Sequence, residues 1–141
     1  MRHLTLNYTK ICRHVMNNQP IVYIVDDDDA VRDGLGMVFE IAGFNFQSFD
    51  CAEDFLKNYV PGSPGCLVLD FSLPGMNGLE LLDELNRRDI HLPIIFATAH
   101  GNKTMEAQVL KAGAVDFLIK PVDCRFLIAR VQTILLSNNR E

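Results

Sequence analysis

No stretch of this 141-residue chain approaches the about 18–20 uninterrupted apolar residues that a membrane-spanning helix requires. The N-terminus also lacks the apolar core and small-residue cleavage site of a secretory signal, so a cytoplasmic protein is expected. The four cysteines, Cys12, Cys51, Cys66 and Cys124, show no C-x-x-C spacing. That excludes the usual zinc and redox motifs and leaves four reduced thiols as the reading. Basic excess is missing too: the formal net charge is −5, which works against non-specific binding to phosphate backbones. No direct nucleic-acid binding by this segment is expected. Residues 1–19, by contrast, hold no acid and no clear period. They read as an N-terminal extension, with Met16 as the expected start of the functional domain.

What the chain has in quantity is apolar residues, 48% of the total, enough for one core. From Ile21 onward they are ordered. Ile21–Val25 is continuously apolar and rich in β-branched residues, the pattern of a strand covered on both faces. Ala30, Val31, Leu35, Val38, Phe39 and Ala42 then recur at helical spacing, and Gly43 follows as a stop. Residues 45–49 read as a second strand. Asp50 and Glu53 form the spacing of a capping box for a helix through Phe55, Leu56 and Tyr59. Residues 66–69 give a third strand, 79–85 a helix, 94–97 a fourth strand and 105–112 a helix closed by Gly113. Residues 115–119 and 126–136 complete a fifth pair. Five successive strand–helix units imply a doubly wound α/β fold with a five-stranded parallel sheet, because crossovers are right-handed. Ligands of such sheets bind outside the carboxyl ends of the strands.

The residues just past those ends are Asp26 and Asp27, Asp70, Thr98 and Lys120. If the fold is right, three carboxylates, a hydroxyl and an ammonium share one pocket. Three anions at close range repel, and one lysine cannot neutralise them, so a divalent cation is expected. The donors are all hard oxygens, which favours Mg²⁺ or Mn²⁺ over zinc. A metal with open positions beside a lysine suits phosphoryl transfer, with Thr98 as hydrogen-bond donor and Asp70, at the end of the central strand, as nucleophile. An aspartyl phosphate is reactive, and so suits a transient signal.

Ile24-Val25-Asp26-Asp27, Leu69-Asp70, Leu73-Pro74-Gly75-Met76-Asn77-Gly78, Thr98-Ala99-His100-Gly101 and Lys120-Pro121 resemble, in order and spacing, the receiver domains of response regulators. The resemblance covers about residues 20–136, leaving 137–141 as the start of a linker or tail. It implies a flavodoxin-like (CheY-like) sheet of strand order 2-1-3-4-5. It further implies phosphorylation of Asp70 by a sensor histidine kinase or phosphotransfer protein, and Mg²⁺ held by Asp27, Asp70 and the Ser72 carbonyl, with Asp26 acting mainly through water. Thr98 and Lys120 would contact the phosphoryl oxygens, Phe117 would be the switch aromatic, and the Lys120–Pro121 bond would be cis. A phospho-acceptor signalling domain is implied, not an enzyme with an external substrate. Its output would be transcription, and a homodimer through the fourth helix, fifth strand and fifth helix is a further implied partner. The wording around Thr98 and Lys111–Phe117 is similar to receivers of the nitrogen-fixation-regulator type, which precede a LuxR-type DNA-binding domain. The chain is either a stand-alone receiver or a fragment of such a protein.

Each signal has a blander reading. Asp28 and Asp29 are taken as helix-capping acids, His100 as a solvated loop residue, and Gly75 and Gly78 as permitting the turn after Leu73-Pro74 and the start of the next helix. Phe117 carries no hydroxyl, so any switch there rests on packing. A flavin carrier of the same fold would need a hydroxyl- and glycine-rich loop after the first strand, where this chain has four carboxylates. An aspartyl-phosphate hydrolase would carry Asp-x-Asp, where this chain has Ser72. The remaining alternative is a degenerate receiver acting as a phosphorylation-independent interaction module.

Overall fold

A computed structural model describes residues 19–139; the expected extension, with Cys12 and Met16, lies outside them apart from Gln19. Strands β1 (Ile21–Val25), β2 (Asn45–Phe49), β3 (Gly65–Leu69), β4 (Ile94–Thr98) and β5 (Asp116–Ile119) alternate with helices. These are α1 (Asp29–Ile41), α2 (Ala52–Asn58), α3 (Gly78–Arg87), α4 (Lys103–Lys111) and α5 (Cys124–Asn139). All strands pair in parallel, in the order β2-β1-β3-β4-β5. The fold is therefore the doubly wound flavodoxin-like sheet.

The apolar runs of β1, β3 and β4 are buried at every position, because helices cover both faces of the sheet. Their side chains alternate between two cores. Tyr23, Val25, Leu67, Leu69 and Phe96 pack with Phe55 of α2, Leu81 and Leu85 of α3 and Val109 of α4. Val22, Ile24, Val68 and Ile95 pack on the other side with Phe39 of α1 and Leu127, Val131 and Ile134 of α5. Fully burying one such side chain contributes about 1.5–3 kcal/mol.

Helix starts follow local chemistry. Asp28 caps α1 by accepting hydrogen bonds from the Ala30 and Val31 amides, and Asn102 caps α4 through the Met105 amide. The capping box expected at Asp50 and Glu53 does not form. Helix α2 begins one residue later, with Cys51 at the cap and no side-chain cap bond. Glu53 is thereby out of phase, and its carboxylate instead accepts the Met76 amide at 2.9 Å. A complete box forms at Asn77 and Glu80, opening α3. Gly75 does take a left-handed turn conformation, φ 70°. Gly78 is different: it is the first residue of α3, and a Cβ there would lie 2.5 Å from the Asp70 carbonyl oxygen and 2.9 Å from the Phe96 ring. Its requirement is space.

Candidate metal and phosphoryl site

Register brings the strand-end residues together. Val25 of β1 pairs with Leu69 of β3, so the next residues, Asp26 and Asp70, leave the sheet side by side; the Asp70 amide donates to the Val25 carbonyl at 2.9 Å. Thr98 of β4 pairs with Ile119 of β5, and the Lys120 amide donates to the Thr98 carbonyl at 2.9 Å. Residues up to 94 positions apart thus meet at one end of the sheet.

Among the described residues, the buried polar side chains are Asp26, Asp70 and Thr98, and all three are here. Lys120 Nζ donates to Asp26 Oδ2 at 2.5 Å and to Asp70 Oδ2 at 3.1 Å. The other oxygens are also engaged: Asp26 Oδ1 accepts the Asp28 amide at 2.9 Å, and Asp70 Oδ1 accepts the Ser72 amide at 3.1 Å. Burial raises the Asp26 pKa, and its hydrogen bonds from Lys120 and the Asp28 amide only partly offset this. For Lys120, burial works downward, but the hydrogen bond and charge of Asp26, with the charge of Asp70, outweigh it and the net shift is upward. The ammonium is therefore held charged between two carboxylates.

Asp27 is exposed at the rim, yet Asp26, Asp27 and Asp70 can each offer a carboxylate oxygen within 4.8 Å of the others. Three negative oxygens with one ammonium, and no nitrogen or sulfur donor, match a hard divalent cation such as Mg²⁺. The Lys120–Pro121 bond is cis, and His100 is exposed. Phe117 is half-buried, and its ring fills the space a Cβ on Gly101 would occupy, 2.7 Å from that position. The ring thus rests on the loop that follows Thr98.

The response regulator receiver domain family matches residues 22–132. The chain belongs to that family. This receiver is 43% identical over 114 residues to the transcriptional regulatory protein FixJ of Azorhizobium caulinodans, covering 81% of this chain and 54% of that protein. It is 43% identical over 105 residues to nodulation protein W of Bradyrhizobium diazoefficiens, covering 74% of this chain and 46% of that one. The receiver thus spans about half the length of these curated relatives. The solved structure of the response regulator StyR superposes with a TM-score of 0.81 at 43% identity, covering 86% of this chain and 62% of that one. The receiver is accordingly a signalling domain of two-component response regulators, similar to FixJ-type transcriptional regulators. No helix among its described residues is long and apolar enough to cross a membrane.

Two residues at this site have no part in it by sequence: Glu53 reads as part of a helix cap, and Arg32 carries no expected role. Glu53 holds the Met76 end of the β3–α3 loop. Arg32 reaches back from α1, its Nη1 donating to the Asp26 carbonyl at 2.6 Å and its Nη2 pairing with Asp29. Neither has a local signal that points to this site.

Proposed function

We propose that Asp70 accepts a phosphoryl group from a sensor histidine kinase or phosphotransfer protein in the cytoplasm, in a Mg²⁺-dependent reaction, and that this switches the surface of the domain. The observation that carries the reading is the cluster of Asp26, Asp27 and Asp70 bridged by Lys120 at the carboxyl end of the sheet. Asp26, Asp27, Asp70 and the Ser72 carbonyl would hold the cation, with Mn²⁺ as a substitute. When bound, Mg²⁺ neutralises both the carboxylates and the phosphoryl oxygens. A carboxylate oxygen of Asp70 attacks phosphorus as the P–N bond of the donor phosphohistidine breaks, and the electron pair leaves with the imidazole. The Ser72 amide on Oδ1 fixes the orientation of the nucleophile. Lys120 and Thr98 then bind the incoming phosphoryl oxygens.

The packing of Phe117 and Ile119 against Gly101 supports a coupling from Thr98 to the surface. Any displacement of the Thr98–Gly101 loop alters both contacts, and Ile119 is 50% exposed. Leu110, Ile119 and Phe126, exposed on α4, β5 and α5, support a phosphorylation-promoted homodimer through that face. The mechanism is a population shift, set by the differential interaction of the phosphoryl group with two states. Transcription as output would require a DNA-binding partner segment, as in proteins of the FixJ type.

The test is incubation with acetyl phosphate, with and without Mg²⁺, followed by intact mass. One phosphoryl group is expected, absent without Mg²⁺ and absent in Asp70→Asn. Failure with a cognate kinase as well would overturn the reading in favour of an interaction module. Sedimentation before and after phosphorylation tests the dimer.

A further inference from the structure

Four consecutive aspartates leave β1, and like charges at that spacing repel, so cations beside the loop relieve it. Lys120 serves the two buried carboxylates. The backbone of the loop is served by Arg32, whose side chain is only 17% exposed. Its Nη1 donates to the Asp26 carbonyl at 2.6 Å, six residues earlier in the chain, and its Nη2 pairs with Asp29, whose side chain is 87% exposed. A charge-assisted bond to a carbonyl at the end of a strand satisfies a buried acceptor that the sheet ladder no longer serves.

That carbonyl belongs to the peptide joining Asp26 to Asp27. The Asp26 amide is already tied to the Phe49 carbonyl at 3.1 Å, and the Asp28 amide to Asp26 Oδ1 at 2.9 Å. Those two bonds fix the peptides before and after it, while Arg32 holds the Asp26–Asp27 peptide itself through its carbonyl, so the direction in which the Asp27 carboxylate leaves the loop is set by the backbone. The Asp27 carboxylate accepts no hydrogen bond from any described residue. Its aim therefore depends on the peptide behind it.

We infer that Arg32 is a positioning residue for the divalent-cation site: it clamps the Asp26–Asp27 peptide so that Asp27 faces Asp26 and Asp70. The inference rests on the metal-site reading above and names a residue that reading does not use. It makes a prediction of unusual sign. By charge alone, removing a cation beside a cation site strengthens Mg²⁺ binding. By positioning, it weakens binding, and outer residues that orient metal ligands contribute roughly 10- to 100-fold in affinity.

The experiment is calorimetric titration of the intact chain with Mg²⁺ alone, for the unsubstituted protein, Arg32→Gln, Arg32→Lys and Asp29→Asn, with thermal unfolding of each in EDTA. Expected is a loss on the order of tenfold for Arg32→Gln, with partial recovery in Arg32→Lys, which keeps one donor for the carbonyl. Asp29→Asn, which loosens the outer anchor of the guanidinium at an exposed position, is expected to weaken binding less than Arg32→Gln. Equal or tighter binding by Arg32→Gln overturns the inference and leaves the metal site standing. No Mg²⁺ binding by the unsubstituted protein overturns the metal site itself. If Arg32→Gln does not fold, Arg32→Lys and Asp29→Asn decide: unchanged affinity in both overturns the inference.

Discussion

The two ends of the sheet are built from the same strands and make opposite use of charge. At the carboxyl end, Lys120 lies between Asp26 and Asp70, with side chains 17%, 4% and 9% exposed. At the amino end, the loops around residues 59–65 and 88–93 line a cleft of about 440 Å³ that includes Tyr59, Ser63, Arg88 and His91. There Arg88 pairs with Glu84, their side chains 44% and 20% exposed, and His91 Nε2 lies 2.9 Å from Asp89 Oδ1, both fully at the surface. Backbone partners satisfy the polar groups at that end: the Ile21 amide donates to the Pro64 carbonyl, the Leu67 amide to that of Pro93, and the Tyr59 hydroxyl to that of Ser63. Clefts are found towards both ends, since another of about 540 Å³ opens beside the β3–α3 loop between Glu53, Met76 and Arg87, whereas among the described residues buried charge is found at the carboxyl end. The lesson is that buried charge, which is costly unless something binds to it, singles out the candidate site where volume does not.

The sharpest way to break this comparison is to crowd each end. A Cβ on Gly65 would lie 2.0 Å from the Ile21 carbonyl oxygen, at a φ of 148°. Gly65→Ala is expected to destabilise the fold by more than about 3 kcal/mol in urea unfolding, while the folded fraction still binds Mg²⁺. Gly78→Ala crowds the Asp70 carbonyl itself, so about 1–3 kcal/mol of lost stability should come with weakened Mg²⁺ binding. Equal effects on binding from the two substitutions would erase the distinction.

The charges offer a second contrast. Lys120→Ala leaves two buried carboxylates without their ammonium and is expected to cost about 3 kcal/mol in Mg²⁺-free buffer. Arg88→Ala removes only an exposed pair and should stay within about 1 kcal/mol, with phosphorylation unchanged. A third contrast comes from Mg²⁺ itself. At a concentration 100-fold above its Kd, it should stabilise the unsubstituted protein by about 2.7 kcal/mol, read as a rise in Tm. Asp27→Asn should lose most of that rise, yet be at least as stable in EDTA, because one of three mutually repelling carboxylates is gone.

The smallest effect is a labelling one. Cys66 opens the core of β3 near the amino end, and burial pushes its thiol up to about 12. Cys124 starts α5 at the carboxyl end and is exposed. Iodoacetamide at neutral pH, followed by peptide mapping, should modify Cys124 readily and Cys66 only on unfolding, since the thiolate is the reactive form.

Much of the fold was legible because its signals are local. The buried runs of β1, β3 and β4 have a composition that only a doubly covered strand tolerates, and Asp28 was correctly read as a cap because capping spans three residues. The box assigned to Asp50 and Glu53 failed for the complementary reason. The same spacing at Asn77 and Glu80 formed a true box, and what separated the two was a contact across 23 residues, Glu53 to Met76, that no local rule contains. Gly78 does stand at the helix start expected of it, but the reason for glycine there is not local: its constraint comes from Asp70, Phe71 and Phe96, not from its own φ.

By itself the sequence determined the strands and the order in which Asp26, Asp70, Thr98 and Lys120 leave them, because hydrophobic period and strand-end position are properties of short segments. Only the tertiary structure decided how those residues meet. Pairing Val25 with Leu69 and Thr98 with Ile119 is a matter of sheet register, and register puts Lys120 on Asp26 across 94 residues. The return of Arg32 to the Asp26 carbonyl is likewise set by where α1 packs on the sheet. Such contacts depend on packing between distant segments, and packing has no period to read.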